Sequence, residues 1–422
     1  MVKSDILDKK PLIGFFPDFS GIGETYPLIK IAKRYRELGG EVVFFSHGGE
    51  YEYWAKELGF QIIKIKPDAS DIFKYLKEKS DEDLIQLIKD EALIYKKAGI
   101  KLLIQTSIFF SCLISPRLVK IPIISVVSGS TIPNYYKQNL GTFPDEFENS
   151  FTRILPYFLK NRIYNSISLK FAGSGIKKIK ILAEKLNINI ESKYSYDIML
   201  GDYTLACDSM DFLGLKPTRD FPEENYIGPI LADDLFKQKI KIEDEVENHL
   251  KRSGKSILIS LGSDYPKKLF LRFLKIFNQT DYNVIAIYTT NIKEIELPIV
   301  NDNILLKKFV PSMITLNKMV DLSIIHGGRG TVYNAAYSGK PVIGIPNITE
   351  QQYNLDCLIR HGSGLRLSKK YFTEKNFLRT IEKIFNNYET YLKNAKHLSN
   401  IMPKPEGDVN AARRLIEILK HL

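Results

Sequence analysis

Residues 321–354 read DLSIIHGGRGTVYNAAYSGKPVIGIPNITEQQYN, and the order of residue types in them decides the fold. Asp321 to Ile325 is a short apolar run ending at His326, the pattern of a parallel strand buried on both faces. Glycines follow at 327, 328 and 330. Thr331 is placed to cap a helix that runs through Ala335 and Ala336 and stops at Gly339 and Pro341. Val342 to Ile345 is the next apolar run, so the stretch is strand, glycine turn, helix, strand: one βαβ unit. Glycines let a backbone approach a ligand with no Cβ in the way. The helix N-terminus behind them offers unpaired N–H groups and a partial positive charge, so a phosphate is the natural guest. His326 stands at the strand's carboxyl end, where open parallel sheets hold their ligands.

The whole stretch resembles the donor-binding signature of nucleotide-sugar glycosyltransferases with the GT-B fold. These include the UDP-glycosyltransferases and the N-acetylglucosaminyltransferases that build the lipid-linked peptidoglycan precursor. The family pattern is His-Gly-Gly-x-Gly-Thr, a carboxylate three residues on, Gly-x-Pro, then a proline, an acid with Gln, and Asn. This chain supplies His326, Gly327, Gly328, Gly330, Thr331, Gly339, Pro341, Pro346, Glu350, Gln351 and Asn354. It departs at Asn334, where the family has a Glu that holds the ribose hydroxyls; Asn can bond a diol but brings no charge and also donates. By the same resemblance Glu350 and Gln351 grip hydroxyls of the transferred sugar. Glu in place of the commoner Asp moves that carboxylate by one methylene.

Composition sets the frame. A chain of 422 residues, 44% hydrophobic and 26% charged, is an ordinary globular protein of two or three domains. Lys3, Asp5, Asp8 and Lys9 interrupt any early apolar region, so no signal peptide is expected, and no apolar run approaches twenty residues. Cys112, Cys207 and Cys357 match no ligand spacing and are expected as free thiols in a reducing cytoplasm. No Asp-x-Asp motif is present, so no metal and no cofactor beyond the nucleotide-sugar co-substrate is expected.

The amino-terminal half opens with a second βαβ pattern: a strand at 11–16, the turn Gly21-Ile22-Gly23-Glu24, a helix over 27–38 and a strand over 42–45. A dinucleotide fold competes here, but the turn lacks the third glycine. In the resembling enzymes this turn carries Gly-His-x-x-Pro, with the His as catalytic base. Here Glu24 stands at the His position before Pro27. A carboxylate serves as that base only if burial raises its pKa toward ~6–7; the plainer role is a dipole-favoured acid at a helix start. His47 is the rival base. Strands are expected near 61–65, 100–105 and 121–127, with a charged helix over 71–97. Ser128-Gly129-Ser130 would wall the acceptor cleft.

Residues 151–190 hold eight bases (Arg153, Lys160, Arg162, Lys170, Lys177, Lys178, Lys180, Lys185) against one acid, Glu184, a large part of the chain's +11. Apolar residues at 151, 154, 155, 158 and 159 keep the spacing of one helix face, with Tyr157, Tyr164 and Phe171 interleaved. Two readings stay open: a helix docking that face into the core, or a peripheral contact with anionic headgroups. No base-reading motif accompanies the charge, so nucleic acid is not expected as a partner.

Asn225 to Pro229 followed by the charged run 237–251 marks the boundary between an acceptor-binding domain over 1–228 and a donor-binding domain over 229–405. A last helix over 406–422 returns to the first domain. The strand at 256–261 ends in Gly262-Ser263, which in the family touches the diphosphate. Strands at 282–288 and 304–309 follow, and Phe309, Val310 and Pro311 stand where the family presents an edge and an aromatic face to the base. The expectation is two Rossmann-like α/β domains with parallel sheets facing across a cleft. The activity implied is an inverting, metal-independent transfer of a sugar, from a UDP-sugar by preference, to a small-molecule or lipid-linked hydroxyl. The protein would act in the cytoplasm, or at the inner face of the membrane. A nucleotide-sugar 2-epimerase of the same fold and a non-catalytic donor-binding subunit are the alternatives.

Overall fold

Among the described residues twelve short strands, most of them apolar runs, form two six-stranded sheets in which every pairing is parallel. In chain order they are β1 (Leu12–Phe16), β2 (Glu41–Ser46), β3 (Gln61–Lys64), β4 (Leu102–Gln105), β5 (Ile123–Val127) and β6 (Tyr203–Ala206) in the first sheet. The second holds β7 (Ser256–Ser260), β8 (Asn283–Ile287), β9 (Ile304–Lys307), β10 (Leu322–Ile325), β11 (Val342–Gly344) and β12 (Gly364–Arg366). The computed structural model describes residues 11–68, 72–106, 109–170, 174–190, 192–194, 197–232, 242–262, 265–288, 292–310 and 312–422. Asp71, Phe171, the run 237–241, Ser263 and Pro311, all named above, lie outside the described residues.

Both sheets are doubly wound. Their orders are β3-β2-β1-β4-β5-β6 and β12-β11-β10-β7-β8-β9, so the winding reverses between β1 and β4 and between β7 and β10. Ligands of such sheets bind outside the carboxyl ends of the strands at that reversal. β4, β5 and β10 are buried at every residue, as expected of strands covered by helices on both faces.

The carboxyl-terminal helix, Gly407–Leu419, leaves the second domain and packs on the first. Ala411, Ala412, Leu415 and Ile416 join Leu28 and Ile31 in one core, and Asp408 Oδ2 accepts from Arg34 Nε at 2.8 Å. Its start is tied to the other crossing between domains, Gly407 N–H donating to Pro229 O at 3.1 Å. A Cβ on Gly407 would stand 2.2 Å from the Gly228 carbonyl oxygen.

Three expectations change. The helix expected over 27–38 spans Ile22–Glu37, so the glycine turn is its first turn and Pro27 lies inside it. The charged helix over 71–97 is two, Ile72–Glu78 and Asp81–Ala98, because Ser80 caps the second by accepting from Asp83 N–H at 3.1 Å. The segment from Phe151 does not bury its apolar face: it splits at Leu155-Pro156 into helices Ser150–Ile154 and Tyr157–Lys170, and Phe151, Ile154 and Phe158 face outward. Among the described residues no helix is long and apolar enough to cross a membrane.

Candidate active site

The residues of the signature stretch come together where β7 and β10 end. The imidazole of His326 is held between Gly262 and Gly328: a Cβ on either would come within 2.5 Å of the ring. Gly262 and Gly327 also have φ of +73° and +97°, the left-handed region open to glycine. The loop is fixed from behind by Asn354, whose Nδ2 donates to Gly327 O at 3.0 Å. Burial pushes the His326 pKa down to about 4 against a weaker pull from the Ser260 carbonyl, so the ring is neutral at pH 7 and its Nδ1 is buried with no partner. A neutral imidazole can still donate one hydrogen bond.

The helix after the glycines spans Arg329–Ser338 with Gly328 at the N-cap, three residues earlier than a cap at Thr331 would give. Thr331 is its third residue. No side chain caps this end, and the first backbone bond of the turn is Val332 N–H to Gly328 O at 3.0 Å. That leaves the leading N–H groups for an anion, worth up to ~2 kcal/mol in a partly buried setting. Asn334 lies further along the same helix with its Oδ1 buried and unpartnered. Glu350 is in the first turn of the next helix, Thr349–Arg360. The residue is exposed, yet the protein around it and Asp208 hold its pKa above the usual range while Arg329 pulls it back. Gln351 closes the loop before that helix, its Oε1 accepting from Asn347 N–H at 2.8 Å. Beyond β9, Phe309 is largely exposed and Val310 is buried.

Glu24 stands at the first sheet's reversal. Glu24, half-buried in the first turn of Ile22–Glu37, has its pKa pushed up to about 7. Burial is the main cause; Glu350 and Asp18 add to it, while Arg329 and Thr106, at the end of β4, oppose it. A carboxyl half-ionised near neutrality is suited to accept a proton.

Arg329 is the residue sequence reasoning missed. It occupies the variable position of His-Gly-Gly-x-Gly-Thr and reaches across the cleft, its Nη2 3.3 Å from Gly23 O and its guanidinium close enough to hold down the Tyr26 pKa against burial. Pro27 explains that acceptor. Having no N–H, it leaves the carbonyl four residues back without a helical donor, and that carbonyl is Gly23's. A cation in the signature's variable position, together with a proline four residues after a glycine, was the signal available.

His47 stands elsewhere. It is 2% exposed, its Nδ1 lies 3.0 Å from Pro67 O and its Nε2 3.5 Å from Glu91 Oε2. Burial works against its charge, but Glu91 and the two carbonyls outweigh it and raise the pKa. These contacts hold the ring inside the first domain. A second cross-cleft contact replaces it in interest. Tyr333 OH donates to Asp208 Oδ1 at 2.6 Å and accepts from Ser209 N–H at 2.9 Å, while Asp208 Oδ2 takes the N–H of Gly129 at 2.6 Å. The Ser128–Ser130 turn is thus pinned to the helix Arg329–Ser338.

Two parallel Rossmann-like domains with facing sites make this the GT-B fold of nucleotide-sugar glycosyltransferases, and solved structures agree. A UDP-glucosyltransferase from Polygonum tinctorium superposes with a TM-score of 0.69 at 13% identity, over 98% of this chain and 100% of that one. The glycosyltransferase VinC in complex with dTDP gives 0.61 at 17%, over 97% and 100%. Residues 253–410 match the glycosyltransferase family 28 C-terminal domain. An uncharacterized UDP-glucosyltransferase of Bacillus subtilis, YojK, is 26% identical over 247 residues, 57% of this chain and 58% of that one. The chain spans about half the length of the curated relatives it matches.

Proposed function

We propose that this protein transfers a hexosyl or N-acetylhexosaminyl group from a nucleoside-diphosphate sugar, a UDP-sugar by preference, to a hydroxyl of a small-molecule or lipid-linked acceptor. One observation carries the reading: an uncapped helix N-terminus at 328–331, reached through glycines, on a segment that also holds two buried polar atoms without partners, His326 Nδ1 and Asn334 Oδ1. Fixed donors of this kind stabilise charge where it develops.

In this reading Glu24 takes the acceptor's proton as the acceptor oxygen attacks the anomeric carbon. The bond from that carbon to the β-phosphate oxygen breaks, the nucleoside diphosphate leaves with the electron pair, and the anomeric centre inverts. The leaving charge is met by the main-chain N–H groups of 328–331 and the neutral His326. Glu350 and Gln351 hold sugar hydroxyls, Asn334 the ribose, and Phe309 with Val310 the base. Arg329 keeps the Gly23–Glu24 turn in register with the donor helix. The protein works in the cytoplasm, in peripheral contact with the inner face of a membrane where the acceptor is lipid-linked.

The test is incubation of the purified chain with sugar-labelled UDP-hexoses and UDP-N-acetylhexosamines and a panel of hydroxyl acceptors. Label in an acceptor product of inverted anomeric configuration supports the reading. A free epimerised sugar would point to the 2-epimerase instead, and binding without turnover to a donor-binding subunit.

A further inference from the structure

The helix Tyr157–Lys170 buries several polar side chains and exposes several apolar ones. Its fully buried residues are polar, Lys160, Asn165 and Ser168, beside Tyr164 and Leu169, which pack partly buried against the core. Lys160 Nζ lies 2.7 Å from Glu148 Oε1. Asn165 accepts from Gly141 N–H at 3.0 Å and donates to the carbonyls of Gly141 and Asn161 at 2.7 and 2.6 Å. An apolar strip stands on its outward side. Phe158 is 74% exposed, Ile163 45% and Ile167 48%, and Leu159, Ile163 and Ile167 follow one another at four-residue steps along one face. The short helix before it extends the strip with Phe151 at 74% and Ile154 at 83% exposed.

Water selects the opposite arrangement, apolar residues inward and polar outward. Something less polar than water therefore covers this face. Its charge says what. From Asn149 to Lys170 there is no acid, and Arg153, Arg162 and Lys170 flank the strip, all exposed. Two copies of this chain meeting face to face would bring those bases together, because a twofold contact pairs a patch with itself. An anionic lipid surface complements them.

We infer that the outward face of residues 150–167 is a lipid-docking surface that lies in the interface of an anionic bilayer. Phe151, Ile154, Phe158, Leu159, Ile163 and Ile167 enter the acyl boundary, and the three flanking bases meet the headgroups. The surface is narrower than the basic stretch in the sequence. In the following helix, Ser174–Lys185, Lys178 and Lys185 are engaged by Asp81, and Ile179 and Leu182 belong to the first domain's core. The inference rests on the proposed function only for the idea that a lipid-linked acceptor is delivered there; docking itself needs no donor.

The full chain is sedimented with vesicles of phosphatidylcholine alone and of phosphatidylcholine with phosphatidylglycerol. Binding is expected at least about tenfold tighter on the anionic vesicles, weakening as salt rises. The triple variant Phe151→Ser, Ile154→Ser, Phe158→Ser is expected to lose at least about tenfold of that affinity, since each side chain's apolar area would enter the boundary. All three positions are already exposed, so the variant should keep the wild-type melting temperature and the wild-type thermal shift with UDP. No preference for anionic vesicles would overturn the inference, as would a triple variant that binds like wild type. So would a wild-type dimer in size-exclusion chromatography that the triple variant makes monomeric, since a second copy would then cover the strip. A chain that docks but transfers no sugar would sink the glycosyl-transfer reading and leave this one standing.

Discussion

Replacing Glu24 with Gln separates catalysis from stability in a way no other substitution here does. The carboxyl's pKa stands at about 7 instead of 4.5, chiefly through burial. A displacement of that size costs the folded, ionised state about 3 kcal/mol. Water reaches the half-buried group, which makes this figure a ceiling. The sign follows from linkage. Between pH 4.5 and about 7 the folded protein binds more protons than the unfolded chain, so stability falls as pH rises through that window. Below it the cost is absent; above it the cost is complete. Glu24→Gln removes it and should melt at higher temperature than wild type at pH 8, with the difference vanishing near pH 4. Turnover should move the other way. Wild-type kcat/KM should rise with pH on an acidic limb near 7, and the Gln variant should lose about 10²–10⁴-fold. Paired thermal melts and pH–rate profiles at several pH values report both. An acidic limb near 4.5, or full turnover in the Gln variant, would refute the assignment of Glu24 as base.

Further outcomes follow from the same geometry. Arg329→Gln removes the charge that restrains Glu24, so the acidic limb should move to higher pH while donor-induced thermal stabilisation changes little; an unmoved limb would make Arg329 a purely structural contact. Gly328→Ala places a methyl 2.5 Å from the His326 ring and should abolish the thermal shift with UDP. Gly330→Ala, whose nearest neighbour would be Tyr26 Oη at 3.4 Å, should keep most of it. Tyr333→Phe leaves Asp208 Oδ1 and Ser209 N–H without their partner and should destabilise the fold by about 1–3 kcal/mol in denaturant melts. Raising pH from 5 to 9 should leave the His326 imidazole resonances unshifted in NMR, because burial keeps its pKa near 4.

The second domain was legible in the sequence because its signals are local. His326, the three glycines, Thr331 and the stop at Gly339 lie within fifteen residues, and strand, turn and helix each announce themselves there. Apolar runs marked ten of the twelve described strands, and the resemblance supplied their arrangement as two facing sheets; β6 and β12, YTLA and GLR, are too short and mixed to stand out. What escaped depends on residues far apart in sequence. Arg329 meets Gly23, and Tyr333 meets Asp208, only once two domains have folded and closed, and no periodicity encodes that pairing. Helix starts were misplaced where glycine and proline read as breakers; at 21–27 the chain is helical, and Arg329 donates to the Gly23 carbonyl that Pro27 leaves without a helical partner. The reversal at 151–167 has another cause. Spacing shows that residues share a face but not which way the face looks, and only the buried Lys160 and Asn165 decide it.

The central claim is that the amide-lined turn at 326–331 receives a diphosphate, and a crystal structure of the chain soaked with a UDP-sugar tests it most directly. The account predicts diphosphate oxygens within hydrogen-bond distance of the N–H groups of 328–331, with His326 beside them and a ribose hydroxyl on Asn334. A turn left empty at saturating nucleotide, or a nucleotide bound elsewhere on the chain, would contradict it.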